Sequence, residues 1–186
     1  MIIAIKNVTI VTVNKSNDVI CDGLILIESN KINYVGPNTH KIPEDAFIID
    51  GREKVAMPGL INCHTHAAMT YLRGVAEDKV LMDWLNDVVW PAEEYLKPEH
   101  VFANAMLACL EMIKSGTTTF VDQYFHVDET FKAVENTGIR AYLAPPVRDQ
   151  FDYDNLGKKI IDQNMQYFRD LDGKADDRVR IILGPH

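Results

Sequence analysis

Residues 55–66 read Val55-Ala56-Met57-Pro58-Gly59-Leu60-Ile61-Asn62-Cys63-His64-Thr65-His66, an apolar run that closes on two histidines one residue apart. If the run is a β-strand, successive side chains point to opposite faces, so His64 and His66 project to the same side. Two imidazoles placed in this way can share one metal ion. Because a His-x-His pair also occurs by chance on exposed loops and half-buried strands, the pair alone does not establish a metal site.

The context of the pair favours metal binding. It follows a buried strand where the chain turns into a loop, and barrel enzymes collect their ligands at the carboxyl ends of parallel strands. Neutral imidazole suits Zn²⁺ or Fe²⁺. Since catalytic zinc commonly has three protein ligands and a water, His64 and His66 make half of a site.

The composition is that of an ordinary soluble globular protein, with 186 residues, 47% of them hydrophobic and 25% charged. The net charge of -8 and the absence of a basic cluster argue against a nucleic-acid partner. Cys21, Cys63 and Cys109 form no C-x-x-C pair, so no disulfide framework is expected and a reducing cytoplasm fits best. No apolar run is long enough to cross a membrane, and no signal peptide is expected.

Residues 1–56 are predicted to form a small β-sandwich-like domain. Segments rich in Ile and Val alternate with breaks that carry Asn, Gly, Asp and Pro. The expected strands are Ile2–Val13, Leu24–Glu28, Ile32–Val35 and Phe47–Ile49, with a tight hairpin at Ser29-Asn30. The sequence of this part contains no motif that combines catalytic or metal-binding residue types, so we assign it a structural role.

From residue 57 to residue 186 the pattern changes to apolar strands alternating with amphipathic helices, which predicts a parallel α/β sheet or barrel. The expected strands are the one that ends at Asn62, then Thr117–Asp122, Arg140–Ala144 and Val179–Leu183. The expected helices are Leu81–Val89, a second one from Pro98 to about Ser115, Val127–Asn136 and Leu156–Leu171. We expect Pro91 and Pro98 to mark the passage from the first helix to the second. The residues at helical spacing on the second helix are expected to be core: Val101, Phe102, Ala105, Met106, Cys109, Leu110 and Ile113.

The fold class expected is therefore the first half of a (β/α)₈ TIM barrel. Such a barrel needs eight strands and about 250 residues, whereas four strands precede the closing Gly184-Pro185-His186. An open four-stranded sheet is the alternative, but it would leave one strand edge bare. We expect the chain to be part of a longer protein.

Several segments resemble the amidohydrolase superfamily, in particular the 5-methylthioadenosine/S-adenosylhomocysteine deaminases and triazine hydrolases. The resemblance rests on Met57-Pro58-Gly59-Leu60-Ile61-Asn62-Cys63-His64-Thr65-His66, Ala68-Met69-Thr70, Leu72-Arg73-Gly74-Val75-Ala76-Glu77-Asp78, Leu81-Met82-Asp83-Trp84-Leu85, Ser115-Gly116-Thr117-Thr118-Thr119-Phe120-Val121-Asp122 and Gly184-Pro185-His186. It implies a site for one divalent metal ion, zinc or alternatively iron, with His64 and His66 as its first two ligands. A third histidine, a metal-binding aspartate and a proton-shuttling glutamate are expected beyond residue 186.

The resemblance also implies substrate contacts. Glu93, in Pro91-Ala92-Glu93, would hold ribose hydroxyls, and His186 would contact the substrate. The alternative for Glu93 is a solvated helix face next to Glu94, and for His186 it is a loose chain end. His126 follows the second barrel strand and Asp122 ends it, and a structural role is favoured for both over metal ligation.

The implied activity is hydrolytic deamination of a 6-aminopurine nucleoside in the complete protein. A metal ion lowers the pKa of bound water, and the resulting hydroxide attacks the ring carbon that bears the amino group. Relatives that accept S-adenosylhomocysteine carry an arginine where this chain has Pro145, and Arg148 stands three residues further on. The alternatives are a triazine chlorohydrolase, a deaminase of another heterocycle, or an inactive half-barrel. A homo-oligomer is compatible with this assignment.

Overall fold

The computed structural model describes residues 1–75, 77–147 and 156–185. The chain divides into two compact units, Met1–Pro58 and Gly59–His186. The division falls two residues after the boundary expected from the sequence, and the run of residues 55–66 is shared between the units.

The first unit is one mixed sheet of five strands. They are β1 (Ile2–Val11), β2 (Val19–Glu28), β3 (Lys31–Pro37), β4 (Phe47–Asp50) and β5 (Val55–Ala56). The order is β3-β2-β1-β4, and β5 also pairs with β1. The expected hairpin joins β2 to β3, which are antiparallel, whereas β4 and β5 run parallel to β1.

Both faces of this sheet carry apolar clusters. One contains Ala4, Leu24 and Leu26, and the other contains Val8, Ile10 and Ile25. Ala4 and Val8 are an even number of residues apart, so strict alternation would place them on the same face. The register shift between Lys6 and Val8, where Asn7 has a φ of 59°, moves Val8 to the other face. The described residues thus supply one sheet of the expected sandwich-like domain.

The second unit alternates strands and helices, which confirms the α/β class. Its strands are β6 (Leu60–Thr65), β7 (Thr117–Asp122), β8 (Arg140–Leu143), β9 (Pro146–Val147), β10 (Val179–Ile181) and β11 (Gly184–Pro185). Its helices are α1 (Leu81–Trp84), α2 (Trp90–Glu93), α3 (Pro98–Lys114), α4 (Val127–Thr137), α5 (Leu156–Leu171) and the short turn α6 (Lys174–Asp177), and a 3₁₀ helix covers Ala67–Leu72.

The four expected strands form one parallel sheet in the order β10-β8-β7-β6. The short β9 and β11 pair with each other beyond the ends of β8 and β10. Phe120, Leu143 and Val179 from the strands are buried with Cys109 of α3 and Val134 of α4. This core holds the strands side by side, so their carboxyl ends meet at one edge.

Residues 55–66 form two short strands, and the second, expected to be buried and to end at Asn62, runs to Thr65 and has no buried residue. Val55–Ala56 pairs with the first unit, and β6 begins only at Leu60. Pro58 and Gly59 stand between the two strands. Gly59 approaches β7 so closely that an added Cβ would lie 2.2 Å from the side chain of Thr118, a contact that only glycine permits.

Pro98 begins α3, as expected for a residue that marks the passage between the two helices, whereas Pro91 lies within the first helical segment. The chain is helical from Leu81 to Glu93, with a π-helical turn at Leu85–Val89 between α1 and α2. Pro91 lies at the start of α2, directly after the π-helical turn. Residues 81–93 therefore form one continuous helical segment, and Glu93 is its last residue.

The core face expected for α3 is only partly correct. Val101 and Cys109 are fully buried, but Leu110 is 52% exposed and Ile113 45% exposed. Met112 is buried instead, because it lies on the same side as Cys109 and Ala108. Over the part of the chain that the structure describes, no helix is long and apolar enough for a membrane span.

Candidate functional site

The two histidine rings lie next to each other at the carboxyl end of β6. Their centroids are 5.3 Å apart with an angle of 81° between the ring planes. His64 is in β6, and His66 follows it directly as the residue before the 3₁₀ helix. The pairing of β6 with β7 is irregular between Asn62 and Thr65, and such bulges commonly re-aim side chains beside active sites.

A backbone carbonyl directly after β7 fixes the orientation of the His66 ring. Its Nδ1 lies 2.7 Å from the carbonyl oxygen of Gln123. Since a carbonyl only accepts, Nδ1 carries the proton, and the lone pair of Nε2 is left for a metal ion. This is the carbonyl-to-histidine contact that commonly sets the tautomer of metal ligands. The His64 ring is exposed, and its backbone N–H donates to Asn62 Oδ1 at 3.2 Å.

Asp122 lies directly beneath the histidines and serves the backbone there. Its carboxylate accepts the N–H of Ala67 at 2.6 Å and lies 3.0 Å from the hydroxyl of Thr65. The residue is 3% exposed, and burial raises its pKa to about 6, against the two hydrogen bonds, which lower it. Asp122 thus holds the chain on both sides of His66, a structural role that agrees with the sequence interpretation.

A cavity of about 280 Å³ opens beside His66. We call Thr65, His66, Asp122 and Gln123 the floor, and residues 81–93 the wall. The lining combines one histidine, one carboxylate and a set of apolar and aromatic side chains: His66, Met69, Leu81, Trp84, Leu85, Val89, Trp90, Glu93, Gln123, Tyr124, Phe125 and Pro146. The site residues His66 and Glu93 therefore face one cavity.

Sequence reasoning missed Gln123, Tyr124 and Trp90 as parts of this site. Gln123 and Tyr124 directly follow Asp122, the last residue of β7, and a position just past a parallel strand was the signal that could have found them. Trp90 carries no such signal. Leu81, at the start of the same helical segment, is 65% exposed and lines the cavity.

Of the remaining residues that the sequence analysis singled out, the structure describes some and leaves others out. His186 and Arg148 lie outside the described residues. Pro145 lines a neighbouring cavity together with His126, and the carbonyl of Pro145 accepts a hydrogen bond from Asn164 Nδ2 at 3.4 Å. His126 begins α4 with a φ of 50°.

The donors present suit part of a zinc or iron site. His66 offers Nε2, and the His64 ring stands beside it. Within residues 1–75, 77–147 and 156–185, no three His, Cys, Asp or Glu side chains come together as a metal centre. The two imidazoles fit the chemistry of a divalent metal, and a third ligand has to come from outside these residues.

The fold and site together define a class, the parallel α/β barrels whose functional groups sit at the carboxyl ends of the strands, represented here by the first four strands. A family model described as the amidohydrolase family matches residues 55–186. The chain belongs to the amidohydrolase family.

Curated relatives match nearly the whole chain. A 5-methylthioadenosine/S-adenosylhomocysteine deaminase from Pelotomaculum thermopropionicum is 45% identical over 99% of this chain and 42% of its own length. A 5'-deoxyadenosine deaminase from Methanosarcina acetivorans is 43% identical with the same coverage. The chain thus spans less than half the length of these relatives.

Solved structures share the fold. The crystal structure of an atrazine chlorohydrolase from Arthrobacter aurescens, complexed with zinc, superposes with a TM-score of 0.86 at 26% identity. The match covers 98% of this chain and 46% of that protein. A partial barrel is therefore the correct description of the second unit.

Proposed function

We propose that the complete protein is a metal-dependent aminohydrolase that deaminates a 6-aminopurine nucleoside of the methylthioadenosine, 5'-deoxyadenosine or adenosine type. The observation that carries this proposal is the joint position of His66 and Glu93 on one cavity. A metal ligand and a carboxylate suited to ribose hydroxyls are then within one substrate's reach. The curated relatives carry the names of deaminases for such nucleosides.

In this proposal His64 and His66 hold one zinc ion together with ligands from beyond residue 186. When bound, the metal supplies the acidity that makes water a nucleophile at neutral pH. The Gln123 carbonyl keeps His66 in the tautomer that presents Nε2. Asp122 accepts hydrogen bonds from the Thr65 hydroxyl and the Ala67 backbone N–H, and so holds the residues on both sides of His66 in place.

The cavity also supplies groups for the nucleoside itself. Trp84, Trp90 and Phe125 offer aromatic surface against which a purine can pack and from which water is excluded. Glu93, half-buried at the end of the wall, accepts hydrogen bonds from the ribose hydroxyls. We assign His186 a substrate contact from the motif Gly184-Pro185-His186.

The test is a nucleoside screen with the complete, zinc-loaded protein. Ammonia release and the absorbance change from adenine to hypoxanthine are followed for adenosine, 5'-deoxyadenosine and methylthioadenosine. Turnover of at least one is expected. The absence of turnover on every adenine nucleoside would overturn the proposal.

Glu93→Gln tests the sugar contact separately. The amide keeps the shape of the side chain but loses the charge, so KM should rise about tenfold, as expected for a lost hydrogen bond to a charged group. Glu94→Gln, the exposed neighbour, is the matched control. An unchanged KM in Glu93→Gln would remove this residue from the site.

The alternative activity is hydrolysis of a triazine, which the atrazine chlorohydrolase structure favours through its fold. Chloride or alkylamine release from atrazine by the complete protein, without nucleoside turnover, would establish it instead. Glu93 argues against this alternative, because a triazine offers no sugar hydroxyls for a carboxylate.

A further inference from the structure

Two tyrosine hydroxyls meet beside the cavity. Tyr71, in the 3₁₀ helix Ala67–Leu72, and Tyr124, just past β7, have their hydroxyl oxygens 3.3 Å apart. Tyr124 is 5% exposed and Tyr71 is half-buried. A buried phenol of this kind requires polar partners, because water does not reach it freely.

The ring of Tyr124 is held firmly. It belongs to a buried cluster with Ala68 and Val101, and Met69 and Phe125 pack against this cluster. Its ring centroid lies 6.3 Å from that of His66. The hydroxyl therefore has a position that the floor and α3 fix.

The same hydroxyl faces Glu93. Tyr124 and Glu93 line both the 280 Å³ cavity and a neighbouring cavity of about 720 Å³. The pKa of Tyr124 lies above its ordinary value, first because of burial and further because of the negative charge of Glu93, to which it also hydrogen-bonds. Burial, and further the charge of Glu93, raise the pKa of Tyr71 as well. Both phenols stay protonated at neutral pH.

The number of hydrogens that these groups can donate sets the direction of the hydrogen bonds among Tyr71, Tyr124 and Glu93. Each phenol has one hydrogen to donate, whereas an ionised carboxylate only accepts. Every group is satisfied when Tyr71 donates to the Tyr124 oxygen and Tyr124 donates to the Glu93 carboxylate. The resulting relay ends at the group to which we assign the ribose.

We propose that Tyr124, supported by Tyr71, is a positioning residue that aims the Glu93 carboxylate at the ribose hydroxyls. The inference rests on the proposed function of Glu93. Glu93 ends the short helix α2 on a wall with a half-exposed apolar face, and Tyr124 ties it to the buried floor. A carboxylate fixed in this way binds a diol without losing the entropy of its own side chain.

Tyr124→Phe in the complete, zinc-loaded protein tests the inference, because the ring and its packing remain. With adenosine, KM should rise roughly five- to tenfold, the effect of one hydrogen bond to a charged group, while kcat stays within about twofold. With 2',3'-dideoxyadenosine, which lacks both hydroxyls, kcat/KM should not change. Tyr71→Phe should give a smaller rise of about twofold to threefold on adenosine alone, and Tyr142→Phe, 43% exposed on β8, should have no effect.

The outcomes distinguish the inferred role of Tyr124 from the proposed function on which it rests. If Glu93→Gln raises KM but Tyr124→Phe does not, the relay is wrong and the role of Glu93 stands. An equal loss on adenosine and its dideoxy analogue would also overturn the inference, since it would mean that Tyr124 only supports the fold. If Glu93→Gln leaves KM unchanged, or no nucleoside is turned over, the proposed function fails and the inference fails with it.

Discussion

The floor and the wall of the cavity are built differently. The floor is held by short hydrogen bonds between buried or half-buried groups, such as His66 Nδ1 to the Gln123 carbonyl at 2.7 Å and the Ala67 N–H to Asp122 at 2.6 Å. The wall consists of two short helices around a π-helical turn, and Leu81 at its start is 65% exposed. The contrast teaches that the floor is suited to fixing a metal ligand, whereas the wall is suited to adapting to a substrate.

The largest effect is expected from His66→Ala. If the floor exists to present Nε2 to a metal, the complete protein should lose its zinc and more than about 100-fold of its activity, beyond the loss typical of an outer partner. Zinc content after dialysis and kcat/KM measure this. His40→Ala, an exposed histidine of the first unit, is the control and should keep both. A fully active, zinc-loaded His66→Ala protein would refute the assignment of the floor.

Asp122→Ala is expected to come next, since it removes the acceptor beneath the histidines. The buried Ala67 N–H loses its partner, which costs about 2 kcal/mol of the free energy of unfolding, and zinc affinity should fall about 10- to 100-fold. Asp122→Asn keeps an oxygen acceptor and should lose less. Thermal unfolding and zinc titration compare them with Asp162→Ala, an exposed position on α5. Equal behaviour of Asp122→Ala and Asp162→Ala would show that the floor does not depend on this carboxylate.

Trp84→Ala tests the wall. Removing an indole from the cavity lining should raise KM about tenfold through lost apolar contact, with zinc content and kcat nearly unchanged. Met82→Ala, a neighbour 55% exposed and not part of the lining, is the control. If Trp84→Ala instead lowers kcat or zinc content, the wall and the floor act as one functional unit, and assigning them separate roles is wrong.

The sequence predicts the floor in part. Strand alternation alone places His64 and His66 on the same side, and their rings are neighbours in the structure. The bond between Asp122 and Ala67 depends on how β6 pairs with β7 across a long insertion. That pairing carries an irregularity no local pattern specifies. The alternation of strands and helices predicts the four-stranded sheet because strand and helix periods differ.

The wall is predicted less well. Pro91 is expected to lie between two helices, yet it lies within the helical segment of residues 81–93, directly after the π-helical turn. The helical period finds the apolar face of Leu81 and Trp84 but does not say whether that face meets a core or a cavity. The meeting of Tyr124 with Glu93 brings together a strand end and a distant helix, which only the tertiary structure shows.

The smallest effect is expected from Lys79→Ala. Lys79 Nζ lies 2.9 Å from Asp87 Oδ2, and both side chains are exposed. Solvent and salt screen such pairs, so they contribute little to structure. KM should change by less than about twofold at low ionic strength, and the change should vanish when salt is raised to about 0.5 M. Lys114→Ala, exposed at the end of α3, is the control. A large, salt-resistant rise in KM would mean that charge rather than packing holds the wall, and the two regions would then differ less than their hydrogen bonds indicate.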